Sequence, residues 1–293
     1  MIKKLVGKIT RRGRQGPAAA VVGQATGGLD AFWGEEWRRG TDAPVTEDRA
    51  GAGWVSPVYS QSQRVDINVA AAIANRCIAL GADAPEAEPY RVLRTQIIHR
   101  TAGLHWNTVM VTSALPGEGK TLTSINLALT FARHFNRTTL LVDADLRKPS
   151  VYRYLGLSGE KGLVDCLLDG KPVNELIVWP GIEKFTVISG GRPMSESAEL
   201  LGSPRMKEVL AEMKERYADR YVILDASPIL TGADALVFAP MVDAIVVVVQ
   251  GGKTPAEDLK KALEHLPSEK VLGLVLNRRK ASMKQYGYGY YHR

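Results

Sequence analysis

The residues best able to do chemistry fall in the run Ser-Ala-Leu-Pro-Gly-Glu-Gly-Lys-Thr, from Ser113 to Thr121. Ala114, four intervening residues, then Gly119, Lys120 and Thr121 have the spacing of a P-loop. Glycines let such a loop curl around a polyphosphate with its N–H groups pointing inward, and the N-terminus of the following helix adds a favourable dipole. A lysine at position 120 reaches the β and γ oxygens as a point charge, and the Thr121 hydroxyl suits Mg²⁺. The spacing predicts ATP binding through Gly117, Glu118, Gly119, Lys120, Thr121 and Leu122.

Two other segments end apolar runs in acid. Leu140 to Pro149 (LLVDADLRKP) carries Asp143, Asp145 and Arg147, and Tyr221 to Pro228 (YVILDASP) carries Asp225. An Asp after a strand often serves only as a turn or cap residue. Three on one edge beside a phosphate loop point instead to a metal–nucleotide site, with Thr121, Asp145 and Asp225 as the metal residues. The additional acid is informative. Asp143 is placed to orient an incoming hydroxyl or take its proton, and Arg147 to neutralise transferred phosphate or meet a neighbouring subunit.

These side chains converge only if the strands that carry them are parallel. Apolar runs predict strands at Thr108–Thr112, Thr139–Asp143, Phe185–Ser189, Tyr221–Asp225, Ala244–Gln250 and Val271–Asn277. Helical runs lie between them at Leu122–Phe135, Gly162–Leu168, Ser197–Tyr217 and Ala256–Leu266, after two earlier ones at Val65–Leu80 and Glu86–Arg100. Runs such as VVVV read as strands buried on both faces. The alternation predicts an α/β P-loop NTPase fold: a doubly wound, mainly parallel sheet flanked by helices, with ligands at the carboxyl ends of its strands.

Composition, at 45% hydrophobic and 24% charged over 293 residues, is that of a globular protein. No run approaches the ~18 apolar residues of a membrane span. Cys77 and Cys166 lie far apart, which argues for a reducing compartment and against a disulfide framework or a cysteine metal site. A cytoplasmic location follows. The net charge of +7 is uneven: Lys3, Lys4, Lys8, Arg11, Arg12 and Arg14 crowd the first fifteen residues, and no acid follows Arg278. Basic ends attract anionic membrane or nucleic acid, or are simply solvated. No nucleic-acid reader motif accompanies them, so no nucleic-acid partner is expected. Residues 1–64 read as a basic, largely disordered leader, 65–277 as the P-loop domain with an N-terminal helical segment (65–100), and 278–293 as a flexible tail.

That tail holds Tyr286, Tyr288, Tyr290 and Tyr291, four of the ten tyrosines, mostly separated by glycine. Glycine spacing rules out a compact core element, whereas a row of flexible hydroxyls makes sense as phosphate acceptors. The loop PGEGKT, the segments DADLRKP, DASP and SAELLGSPRM, and the tyrosine cluster together resemble the bacterial tyrosine kinases (BY-kinases) of capsule and exopolysaccharide systems, over about Glu86 to Arg293. The resemblance implies a non-specific protein-tyrosine kinase that uses ATP and Mg²⁺ to phosphorylate its own tail, usually in trans within a ring of subunits. Glu88, Arg91 and Arg94 match that family's E-x2-R-x2-R oligomerisation motif. It also implies a membrane chain-length-determinant (polysaccharide co-polymerase) activator, a cognate tyrosine phosphatase, and a peripheral position at the inner face of the plasma membrane. Ser227 stands where the family often has proline, a departure expected to have little effect. The competing reading is a deviant Walker A partitioning or positioning ATPase, which would carry lysine where this chain has Leu115. Asn277 and Arg278 close the last strand, where they suit either an adenine contact or a loop start.

Overall fold

The computed structural model describes residues 62–81, 84–217 and 219–278, together with the backbone of a two-residue strand, β1 (Ala20–Val21). The other strands are β2 (Gln63–Arg64), β3 (Thr108–Ser113), β4 (Thr138–Ala144), β5 (Val178–Trp179), β6 (Phe185–Ile188), β7 (Arg220–Ala226), β8 (Ala244–Gln250) and β9 (Val271–Asn277). They form one sheet in the order β1-β9-β8-β3-β7-β4-β6-β5-β2. From β9 to β6 every neighbouring pair is parallel; β1 on β9 and β5 on β6 are antiparallel. These six parallel strands are the six predicted, each within a residue or two of its expected ends.

The helices are α1 (Val69–Ala74), α2 (Glu88–Thr101), α3 (Lys120–Ala132), α4 (Val151–Leu155), α5 (Leu163–Leu168), α6 (Ser197–Leu201), α7 (Pro204–Glu215), α8 (Asp234–Phe238) and α9 (Ala256–Glu264). They cover both faces of the sheet, which is why β3, β4 and β7 are buried at every position. Val109 and Val111 of β3 look to one core with Leu141, Ile223, Val246 and the Phe131 end of α3. Met110 looks to the other with Leu140, Val142, Val222 and the inner faces of α7 and α9. Because the crossovers wind both ways from β3, the carboxyl ends of β3, β4 and β7 open onto one crevice.

Two expected helices are shorter than their periodicity predicts. The run Val65–Leu80 is helical only over α1, with a 3₁₀ turn at Ile78–Leu80. Asn126 of α3 decides this: its side chain accepts from Ala79 N–H at 3.0 Å and donates to the Arg76 carbonyl at 3.1 Å, replacing helical bonds by bonds to the core. The run Ser197–Tyr217 is two helices, broken at Gly202. Ser203 caps the second, its Oγ accepting from Met206 N–H at 3.1 Å, and Pro204 takes the first turn, where a missing N–H is harmless. The tail tyrosines and almost all of the leader lie outside the described residues.

Candidate active site

All six residues of β3 are buried, and the chain leaves its end at Ser113 into the loop that α3 follows. Gly117 and Gly119 have φ of 79° and 95°, a region that side chains disfavour. At Gly119 there is also no room: a Cβ would run into the Asn277 side-chain amide, which donates to the Glu118 carbonyl at 2.8 Å. Glu118 is itself buried. Its carboxylate accepts from the Leu115 N–H at 2.8 Å and meets the Thr254 hydroxyl, so its side chain braces the loop from within. Leu122, in the first turn of α3, is partly buried and packs against the core on that face of the sheet.

Behind the loop, the register of β4 on β7 sets Asp143 directly beside Asp225, and both carboxylates are almost completely buried. Asp225 accepts from Thr121 Oγ1 at 2.6 Å and from Ser124 Oγ at 3.0 Å. Lys120 Nζ lies 2.7 Å from Asp145 Oδ2 and 3.4 Å from Asp225 Oδ2. Burial pulls the lysine pKa down, but the Asp225 and Asp145 charges outweigh it and hold the ammonium above its ordinary value. Burial, and then the neighbouring Asp225, push the Asp143 carboxyl up. Asp143 is far from idle. Its Oδ2 accepts from the N–H groups of Ser150 (2.7 Å) and Val151 (2.9 Å) at the start of α4, and its Oδ1 from Asp145 N–H at 3.2 Å.

A second layer of side chains holds the first. Asp145 Oδ1 accepts from Ser227 Oγ at 2.8 Å. Arg147 Nε donates to both oxygens of Asp234, at 3.0 and 3.1 Å, and Ser197 Oγ donates to Asp234 Oδ2 at 2.6 Å. Ser227 Oγ also lies 3.4 Å from Asp234, so the serine stands between the two carboxylates. Ser124 and Asp234 escape sequence reasoning, Ser197 enters it only as the first residue of SAELLGSPRM with no role assigned, and Ser227 has more contacts than its expected neutral role. Ser124 had a legible signal of its own, one helical turn beyond Thr121.

The expected oligomerisation residues stand apart from this cluster, on α2. Glu88 and Arg91 pair with each other at 2.9 Å on the helix surface. Arg94 turns inward and donates to the Thr130 carbonyl of α3 at 2.8 Å. Asn277 and Arg278 end β9 at the rim of the loop, where Arg278 Nη1 reaches Gln250 Oε1 at 3.4 Å.

Thr121 Oγ1, Asp225 and Asp145 form an oxygen-only donor set beside the loop, which fits a small hard divalent cation. Fold and site together define a P-loop NTPase, a class that binds a nucleotide with a divalent cation. The AAA domain family profile matches residues 107–268. Tyrosine-protein kinase YwqD of Bacillus subtilis (strain 168) is 39% identical over 207 residues, 70% of this chain and 86% of that one. The kinase domain of the Escherichia coli tyrosine kinase ETK superposes with a TM-score of 0.63 at 30% identity, over 72% of this chain and 82% of that domain. Succinoglycan biosynthesis transport protein ExoP of Rhizobium meliloti (strain 1021) is 33% identical over an alignment of 219 positions that covers 70% of this chain but 26% of ExoP. The chain belongs to the bacterial tyrosine-protein kinases.

Proposed function

We propose that the chain uses ATP to phosphorylate tyrosines of its own C-terminal segment, Tyr286, Tyr288, Tyr290 and Tyr291, delivered in trans between copies of a ring, and that this regulates exopolysaccharide or capsule synthesis and export. The observation that carries the reading is the pairing of Asp143 with Asp225 at the ends of adjacent strands, with Asp145 and Lys120 against them. One acidic strand end suffices to hold a metal for hydrolysis. A second acid at the site gives a hydroxyl nucleophile something to align on.

When bound, Mg-ATP supplies the transferable phosphoryl group and its electrophilic activation. Lys120 and the loop amides hold the β and γ oxygens, while Thr121 and Asp225 hold the metal with Asp145 assisting. Asp143, kept in place by three N–H groups, orients the tyrosine hydroxyl or receives its proton. Arg147 faces the charge that develops on the transferred group. Glu88 and Arg91, on the exposed side of α2, suit contacts between subunits in the ring.

A membrane chain-length-determinant protein as activator fits the biosynthesis-transport role in the name of ExoP, and a cognate phosphatase would reset the tail. The position would be the cytoplasmic face of the membrane, through that partner; among the described residues no helix is long and apolar enough to cross a bilayer. The partitioning-ATPase reading loses support at Leu115, which occupies the position of that group's extra lysine. The deciding experiment is incubation of the purified chain with Mg-ATP, with and without a membrane activator, followed by phosphotyrosine mapping. Label on Tyr286 to Tyr291 that disappears with Lys120→Met is expected. No label on these residues with the activator present rejects the autokinase, and label surviving Lys120→Met rejects the site.

A further inference from the structure

Away from the catalytic crevice, α7, α8 and the segment after it line an open groove of about 660 Å³. Lys207, Leu210, Ala211 and Lys214 line one wall at helical spacing, two apolar residues between two cations. Val237, Pro240 and Met241 form the opposite apolar wall, and Gly202 closes one end. The charge is one-sided. Lys207 is exposed and makes no ion pair among the described residues; Lys270 lies outside the lining, its ammonium on the Pro240 and Val242 carbonyls at 2.6 and 2.8 Å. Only Lys214 is matched, by Asp243 at 2.6 Å.

The chain contains a segment of the complementary chemistry. Asp30 to Trp37 (DAFWGEEW) combines three acids with Phe32, Trp33 and Trp37 and contains no lysine or arginine. No other eight-residue window in the first 61 residues has three acids and three aromatics. Twenty-four residues separate Trp37 from Ser62, where the described fold begins. Extended, they span up to about 80 Å. The other end is held closer. Eight residues separate Val21, paired with Val275 of β9, from Asp30, up to about 30 Å of extended chain. Lys270, beside the start of β9, bonds Pro240 of the groove, so the segment reaches it. Tethering also raises its local concentration to the millimolar range, so a weak contact suffices.

We propose that Asp30–Trp37 docks in this groove on its own chain, its aromatic rings between α7 and the Val237–Met241 wall and its acids facing Lys207. The groove is joined to the catalytic site by two short helices lying side by side. At one end Ser197 of α6 and Asp234 of α8 are hydrogen bonded beside Arg147. At the other end Gly202 packs on Val237, whose Cβ lies 3.6 Å from where a Gly202 side chain would begin. Docking thus steadies the pair that positions Arg147. The regulatory consequence rests on the kinase reading; the docking does not.

Hydrogen exchange on the full-length chain without nucleotide tests it. Trp33→Ser/Trp37→Ser and Lys207→Glu should each speed exchange of peptides from 204–215 and 234–241 by about fivefold or more. Glu35→Lys/Glu36→Lys should restore protection in the Lys207→Glu background, and Lys120→Met should leave it intact. Exchange unchanged by the tryptophan substitutions overturns the docking, as does failure of the charge swap to restore it. Protection that grows with protein concentration overturns the intrachain form, because the segment would then occupy a neighbouring copy. Docking confirmed in a chain that does not label its tail would separate this inference from the autokinase reading.

Discussion

Replacing Asp234 by Asn isolates the second layer of the site. Its side chain is 2% exposed and receives Arg147 Nε on both oxygens and the Ser197 hydroxyl on one. Asn keeps the shape but removes the charge, and its amide N–H groups confront donors where the carboxylate met them. Hydrogen bonds to a charged partner contribute about 1.5–3 kcal/mol each. Loss of one such bond, expressed entirely as misplacement of the guanidinium, lowers the rate about 10- to 150-fold at 1.36 kcal/mol per decade. The assay is initial-rate phosphotyrosine formation over a range of ATP concentrations. Arg147 is assigned to charge that develops during transfer, so kcat should fall with little change in KM for ATP. Arg147→Met should produce a similar loss, and the double variant should be little worse than the more impaired single one, since both remove the same interaction. A wild-type rate for Asp234→Asn, or losses that multiply fully in the double variant, would refute the link from Asp234 through Arg147 to phosphate.

Gly119→Ala places a side chain at φ 95° against Asn277; strain of about 1–3 kcal/mol should weaken binding of a fluorescent ATP analogue by roughly 5- to 150-fold, and unchanged affinity would contradict the loop geometry. Asp243 fastens the start of β3 to β8 and α7, accepting from the N–H groups of Asn107 and Thr108, the Thr108 hydroxyl and Lys214. Burial alone would raise its carboxyl, but Lys214 and the Thr108 donors outweigh it and hold it below the usual carboxylate range. Its stabilisation is therefore complete above about pH 4 and lost as pH falls through the lower folded-state value. Asp243→Asn should lower the urea midpoint at neutral pH while flattening the acid limb of the stability curve; an unchanged acid limb would count against the assignment. Phe131 is fully buried with its ring centroid 4.5 Å from that of Tyr221, so Phe131→Ala should cost about 3–5 kcal/mol in urea denaturation, and a cost below 1 kcal/mol would show that this core collapses around the gap.

The parallel core was legible because burial on both faces leaves a signature that local sequence retains. Runs such as VVVV in β8 tolerate no polar position, and turn residues bound each of them. What the sequence concealed was settled by partners distant along the chain. Asn75 at the end of α1 is a modest stop signal within a run that stays apolar; the side chain of Asn126, fifty residues beyond Arg76, takes up the hydrogen bonds that follow. The break at Gly202 was readable, since Ser203 and Pro204 form a helix-start pair, but the apolar periodicity running through both helices masked it. Among site residues, the strand-end acids announced themselves through the apolar runs before them. Asp234 did not, because an acid at the start of a short helix is usually a local feature, and only the fold brings it to Arg147. Ser227 was visible as a departure from a family pattern, yet its bonds to Asp145 and Asp234 appear only in three dimensions.

The grip of Asp143 on Ser150 and Val151 makes the intervening stretch a closed ring, with Arg147 riding on it. The Asp143 carboxylate, Arg147 and the start of α4 are therefore tied into one mechanical unit. Asp143→Asn would turn an amide donor towards N–H groups that need an acceptor, opening the ring while removing the carboxylate. Its kinetic phenotype would then combine lost chemistry with a displaced arginine. Conversely, whatever presses on the outside of that ring acts on Asp143 and Arg147 at once, as a finger on a clasp moves both jaws.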